Sequence, residues 1–451
     1  MKSPLRSLAA AAAATLLLSA CGGGQDAGEG AAAGPVTIDY WLWDTAQQPQ
    51  YQACADAFTK ANPGYTVKIT QYGWDDYWNT LTTSFVSGTA PDVFVSHLSR
   101  YPEFAAQGQL LPITDRVTTD KIDLSQYQDG LADLWVAKDG QRYGLPKDFD
   151  TVAVIYNTDK LKEAGIKPEE MTKLTWNPQD GGTYEDVIAR LTVDVNGKRG
   201  DEPGFDKKHV ATYGLGLAGS GAGFGQTEWS MYTMSNGWQY GDQNPWPTTF
   251  NYADPKFKDA IRWFTSLIDK GYMPTMEIAS AGTGQIDAYG AGKYAMVTEG
   301  SWNTKTYWGL KGVKSALAPT PIGPTGKRAS LLNGLADNIS AGTDNPDAAW
   351  AWTKFLASPA CQEEIVAKEA VVFPAIKSAK AKAEQAFADA GIDVKPFTMH
   401  VQDGTTHLAP IAEHWADITA IMTETMDSVF SGKSDVNALD EANTKVNALL
   451  G

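Results

Sequence analysis

From residue 36 onward the hydrophobic pattern switches between two periods. Val36-Thr37-Ile38-Asp39-Tyr40-Trp41-Leu42-Trp43 alternates and is rich in β-branched and aromatic side chains, which predicts a strand. In residues 49–61, Tyr51, Cys54, Ala55 and Phe58 share one stripe at helical spacing, and Asn62-Pro63-Gly64 stops the run. Residues 65–71 read as a second strand, 75–87 as a second helix and 91–95 as a third strand. Strand, helix, strand, helix, strand at this spacing predicts an α/β architecture with a parallel sheet and right-handed crossovers. The style recurs downstream. Residues 151–156 form an apolar strand, and residues 254–270 an amphipathic helix with Phe257, Ile261, Phe264 and Ile268 on one face and Gly271 closing it. Residues 293–297 and 316–319 are short strands, and residues 345–356 and 411–430 further helices. The glycines of residues 219–225 lack the Lys-Ser/Thr and the strand-to-helix setting of a phosphate loop.

The segment before residue 36 follows another logic. Lys2 and Arg6 precede an apolar stretch over residues 8–18, and Leu18-Ser19-Ala20-Cys21 fits the lipobox of a bacterial lipoprotein signal. The expectation is cleavage after residue 20, lipidation of Cys21, and a flexible Gly/Ala-rich tether over residues 21–35. That places an extracytoplasmic body on the outer face of the cell membrane, held only by its lipid anchor.

Composition narrows the chemistry. The chain has 451 residues, with 53 acidic against 37 basic and a formal net charge of −16. This balance excludes nucleic acid and a basic membrane-surface patch, both of which need cationic groups. Five histidines and 3 cysteines show no metal-ligand spacing, so neither metal nor cofactor is expected. Asp194-Val195-Asn196-Gly197-Lys198 opens like a calcium loop, but its lysine and early glycine fit a tight hairpin turn instead. With Cys21 committed to lipid, Cys54 and Cys361 are left. A disulfide closing a very long loop is expected, the alternative being two unpaired buried thiols. Fifteen tryptophans are the surplus that needs explaining.

Several ordered patterns carry a family resemblance. They are Phe58-Thr59-Lys60-Ala61-Asn62-Pro63-Gly64, Gly88-Thr89-Ala90-Pro91-Asp92-Val93-Phe94, Gly108-Gln109-Leu110-Leu111-Pro112, and Tyr143-Gly144-Leu145-Pro146 running on to residues 151–157. Gly292-Lys293-Tyr294-Ala295-Met296 with Glu299-Gly300-Ser301-Trp302, and Ala348-Ala349-Trp350, complete the set. Their joint order resembles the family 1 extracellular solute-binding proteins of the maltose-binding type, which serve carbohydrate ABC transporters. The resemblance implies a two-lobed fold, each lobe a mainly parallel sheet flanked by helices, joined by a multi-strand hinge. Lobe 1 would be residues 36–150 and 336–373, and lobe 2 residues 151–335 and 374–451, with crossings near Asp150, Leu335 and Pro374. It implies a monomeric receptor, not an enzyme, that closes on an oligosaccharide and delivers it to permease subunits.

Sugar rings stack their C–H faces on flat aromatics, and their hydroxyls need convergent carboxylates and amides. Trp43 and Asp44 lie just past the first strand, where parallel α/β sheets place ligand contacts. The plainer alternative is a core tryptophan and a helix-capping aspartate. Trp74 precedes the second helix, and His97 ends the third strand. Asp148 and Asp150, two apart in an extended segment, project to one side. The resemblance adds an acidic contact at Asp150, an aromatic second-lobe wall at Glu228 and Trp229, and a stacking aromatic at Trp302 beside Glu299. Asn333 sits near the second crossing and could offer an amide. Trp41, Trp350, Trp352 and Trp415 are read as core. The alternative function is a secreted glycoside hydrolase using Asp148 and Asp150, against which stands their shared face: such chemistry needs carboxyls on opposite sides of the bond. A peptide or anion receptor on the same fold is a third reading, disfavoured for anions by the charge.

Overall fold

A computed structural model describes residues 35–451; the expected signal, Cys21 and most of the tether lie outside the described residues. The alternating strand Val36–Leu42 pairs in parallel with both Tyr65–Gln71 and Val93–His97. Helices Gln48–Ala61 and Trp74–Ser87 make the two crossovers. The first buries the stripe read from its periodicity, Tyr51, Cys54, Ala55 and Phe58, and the second buries Tyr77, Trp78 and Leu81.

This sheet continues through Ser330–Ile339, Pro146–Asp150 and Phe373–Pro374, joined to it and to one another by antiparallel pairing, with Thr406–Leu408 added in parallel beside Ser330–Leu332. The second sheet runs in the order Val193–Asp194, Val210–Leu215, Tyr294–Gly300, Val152–Asn157, Ser315–Ala318, and only the pair Val210–Leu215 with Tyr294–Gly300 is parallel. The sheets are therefore mixed, where mainly parallel ones were expected. A chain that leaves one lobe, builds in the other and returns enters its first sheet from the opposite end, which reverses the strand.

Each sheet has its own core. Strand Pro146–Asp150 belongs to the first and Val152–Asn157 to the second, so the chain crosses at Thr151, whose buried hydroxyl donates to the Phe397 carbonyl at 3.0 Å. The second crossing runs inside Ser330–Ile339: Leu331 packs in the second core and Leu335 in the first, with Asn333 between them. The third is not near Pro374. Ala375, Ala379, Ala383, Phe387 and Phe397 all pack in the first core, and the second resumes at Ala409. The helical stripe Ala379–Ala383–Phe387 finds its partner in Phe373, 5.3 Å away between ring centres, which keeps residues 374–397 with the first sheet. Cys54 and Cys361 form a disulfide with Cα atoms 5.4 Å apart, tying helix Gln48–Ala61 to Pro359–Gln362 within the first core. The Asp194 loop is a turn: its carboxylate accepts the backbone amides of Asn196, Lys198 and Asp206, and Gly197 takes φ +82°.

Candidate functional site

Where the two cores face each other lies a cavity of about 570 Å³, within the usual range for small-molecule sites. Trp43, Asp44, Trp74, His97, Asp148, Asp150, Glu228, Trp302 and Asn333 all line it.

The first-lobe wall is aromatic. Trp43 follows the first strand and meets Trp74 edge to face at 5.1 Å, with Tyr77 and Trp78 bracing it from behind at 5.1 and 5.3 Å. Trp74 opens its helix and remains 43% exposed, an apolar face turned to the cleft. His97 lies 5.8 Å from Trp74 and, on its other side, 5.6 Å from Phe224 of the second lobe. Burial, with a smaller push from Arg100, holds the His97 ring neutral by lowering its pKa to about 3. The Ser99 amide donates to its Nδ1 at 3.2 Å, which leaves the ring proton on Nε2. Asp44 lines the cavity and also caps the chain after it, accepting from the Ala46 amide at 2.8 Å and from the Gln47 side chain at 2.7 Å.

The floor comes from the crossings. Asp148 and Asp150 share one face of Pro146–Asp150. Gln226 Nε2 donates to Asp150 Oδ1 at 2.6 Å and Asn333 Nδ2 to Oδ2 at 3.1 Å. Burial, with Asp148 close by, raises Asp150 to about 8 despite these amides. Burial also raises Asp148 to about 7, against the pull of Lys147. Asp148 Oδ2 and Asn333 Oδ1 have no hydrogen-bond partner. Behind the floor, Lys147 is committed to Asp337 at 3.1 Å and to the Tyr40 hydroxyl at 2.9 Å, and it lies 3.7 Å from the centre of the Tyr51 ring.

The second-lobe wall departs from the expectation at two residues. Trp229 does not reach the cavity. It is fully buried, donates its indole N–H to the Ser220 carbonyl at 3.0 Å, and supports the glycine loop above it. Gly225 takes φ +53°, and a Cβ there would come within 2.0 Å of the Trp229 ring, so only glycine lets the backbone lie this close. That loop delivers Phe224, Gln226, Thr227 and Glu228, the last raised to about 7 by burial. Glu299 is likewise inside the wall, its oxygens taken by the Gly300 amide at 2.9 Å and the Tyr307 hydroxyl at 3.2 Å. It braces the turn that presents Trp302. A Cβ on Gly300 would fall 1.9 Å from the Trp302 ring, so this glycine lets the indole fold back over the strand end and into the cleft.

Phe224, Gln226, Thr227, Asn303 and Thr306 line the cavity without having been singled out. For the first three the signal was present as glycine density at residues 219–225, which marks backbone packed on a large ring as readily as it marks a phosphate loop. For Asn303 and Thr306 it was only their position just after Trp302.

Comparison with known proteins gives a consistent result. Residues 53–392 match the family described as bacterial extracellular solute-binding protein. A maltodextrin-binding protein of Bacillus subtilis is 27% identical over 307 residues, 67% of this chain and 65% of that protein. A lactose-binding protein of Rhizobium radiobacter is 34% identical over 157 residues, 33% of this chain and 34% of that protein. The crystal structure of Mycobacterium tuberculosis UspC has a TM-score of 0.69 at 25% identity, covering 92% of this chain and 100% of that one. A Listeria monocytogenes ABC substrate-binding protein solved with cycloalternan has a TM-score of 0.79 at 20% identity, covering 92% and 99%, a likeness of fold.

Proposed function

The chain belongs to the bacterial extracellular solute-binding protein family, and from that premise we propose that it is a receptor for a short oligosaccharide which closes on its ligand and passes it to an ABC transporter permease. The observation that carries this reading is the cavity's two-sided aromatic lining over a polar floor. Trp43 and Trp74 stand on one lobe and Trp302 and Phe224 on the other, with Asp148, Asp150, Gln226 and Asn333 between them. Flat apolar faces at the sides suit the C–H faces of a sugar ring, and carboxylates and amides below suit its hydroxyls. Relatives named for lactose and maltodextrin support the ligand class.

The receptor works without turnover. Asp148 and Asp150, the pair the hydrolase reading would use, approach from one face of one strand, whereas glycosidic cleavage needs its two carboxyls on opposite sides of the bond. It acts as a monomer, anchored through a lipidated Cys21; among the described residues no helix is long and apolar enough to cross a membrane.

Calorimetry and tryptophan fluorescence of residues 35–451 against di- to tetrasaccharides test the proposal. The expected result is saturable binding of at least one sugar with no reducing sugar released. A flat response across a broad panel would sink it, and product formation lost in Asp150→Ala would replace it with the hydrolase. For the anchor, Cys21→Ser is expected to shift the protein from the membrane fraction to the medium.

A further inference from the structure

The cleft is electrostatically one-sided. Asp44, Asp148, Asp150 and Glu228 line it from three elements, and among the described residues no lysine or arginine lines it. The buried cation behind the floor, Lys147, is committed to Asp337 and Tyr40. That pair cancels in charge, Glu299 adds one more buried carboxyl inside the wall, and His97 is neutral. Near neutral pH burial offsets this one-sidedness by holding protons on Asp148 and Asp150, protons that a cationic ligand could replace and a neutral sugar could not.

The unpartnered atoms point the same way. Asp148 is 2% exposed and Asn333 is 3% exposed, and Asp148 Oδ2 and Asn333 Oδ1 lack any partner while both residues line the cavity. Asn333 Oδ1 is an acceptor, and Asp148 Oδ2 is one once its carboxyl is ionised. The Asn333 amide is turned so that its N–H donates to Asp150, which aims its oxygen elsewhere. Buried acceptors left open ask for a ligand rich in donors. A hydroxyl supplies one donor and no charge; a protonated primary amine supplies three donors and the positive charge that the floor lacks. Trp74 and Trp302 provide ring faces that also favour a cation.

Resting on the reading of the cleft as a sugar site, we infer that its ligand is an amino sugar, a saccharide carrying a free protonated amine held at Asp148, Asp150 and Asn333. In the empty cleft the two aspartates hold on to a proton near neutral pH because burial raises both. The incoming ammonium takes over that proton's role, so binding releases a proton and tightens as pH rises from about 5.5 to 7 while the amine stays charged.

Calorimetry on residues 35–451 tests this with matched pairs: glucosamine against glucose, and the β-1,4 glucosamine disaccharide against cellobiose and its N-acetylated form, with lactose and maltotriose in the same panel. The amine is expected to bind roughly tenfold or more tighter than its hydroxyl partner. Proton release should appear as a heat that changes with the buffer's ionisation enthalpy, and Asp148→Asn should erase the preference. Neutral sugars binding as tightly as amines, or binding while amines do not, would overturn the amino-sugar assignment and leave the sugar receptor standing. Absence of binding by every sugar would bring down both.

Discussion

Two tryptophans with similar sequence settings have opposite roles. Trp302 is half-buried at the cavity wall, whereas Trp229 is sealed beneath the glycine loop. Trp302→Ala should leave the melting temperature nearly unchanged and weaken sugar binding by about 1–2 kcal/mol, the scale of a lost aromatic platform, read by calorimetry. Trp229→Ala should cost about 4 kcal/mol of stability in denaturant unfolding, because a large buried ring leaves a cavity and its loop loses support. The aspartates of the floor make a second prediction. Asp148 and Asp150 titrate near 7 and 8 in the folded protein and near 4 when unfolded, so between those values the native state holds more protons. Stability from this pair therefore falls as pH rises from about 4 to 8. The buried neutral histidines His97 and His400 oppose it below about pH 6.5, where the unfolded chain takes up protons that the folded one refuses. Asp150→Asn should therefore flatten this fall, raising the ligand-free melting temperature at pH 8 by about a few degrees and at pH 5 by much less. An unchanged limb at pH 8 would refute the assignment.

The elements that hold these residues were read with uneven success. Strand Val36–Leu42 and helices Gln48–Ala61 and Pro255–Asp269 follow directly from their periodicity, since each buries one contiguous stripe. Segments whose stripe could serve either lobe were not decidable this way, and residues 374–397 show it: a stripe of Ala and Phe states that a partner exists without stating which. The same limit applied to the cysteines. Cys54 lies on a predicted helix face, but its bond to Cys361, 307 residues away, depends on which surfaces the fold brings together. The bond is fully buried, so the double change Cys54→Ala, Cys361→Ala should lower unfolding stability by about 3–5 kcal/mol, and mild reductant on the native protein should have little effect until the first lobe opens. Urea melts of both forms check this.

At the scale of the whole molecule, contacts between the two lobes hold the cleft. His97 meets Phe224 across it, Lys138 pairs with Glu413 at 3.5 Å, Lys305 with Glu369 at 3.7 Å, and the Trp308 indole donates to the Gly391 carbonyl at 3.3 Å. The two exposed ion pairs are each worth about 0–1 kcal/mol, which suits a joint that must open as well as close. Lys138→Glu would set two carboxylates against each other and favour the open form. Sugar affinity should fall about two- to fivefold, and the ligand-induced compaction seen by small-angle scattering should need more sugar. A variant with unchanged affinity at low salt would argue that this pair does not take part in closure.

Local pattern by itself determined the types of the strongly periodic elements and the shared face of two floor carboxylates, because strand ends and alternating carboxylates have geometric consequences within a few residues; the two-lobed architecture came from the family resemblance. Asp148 and Asp150 had to share a side once residues 146–150 were extended. Tertiary structure alone decided which wall each large residue faces. Trp229 and Glu299 occupy positions as suggestive as those of Trp302 and Glu228, yet the first pair became scaffold. That choice rests on backbone approaches of a few ångströms, Gly225 over Trp229 and Gly300 under Trp302, which join segments to neighbours that no sequence window contains.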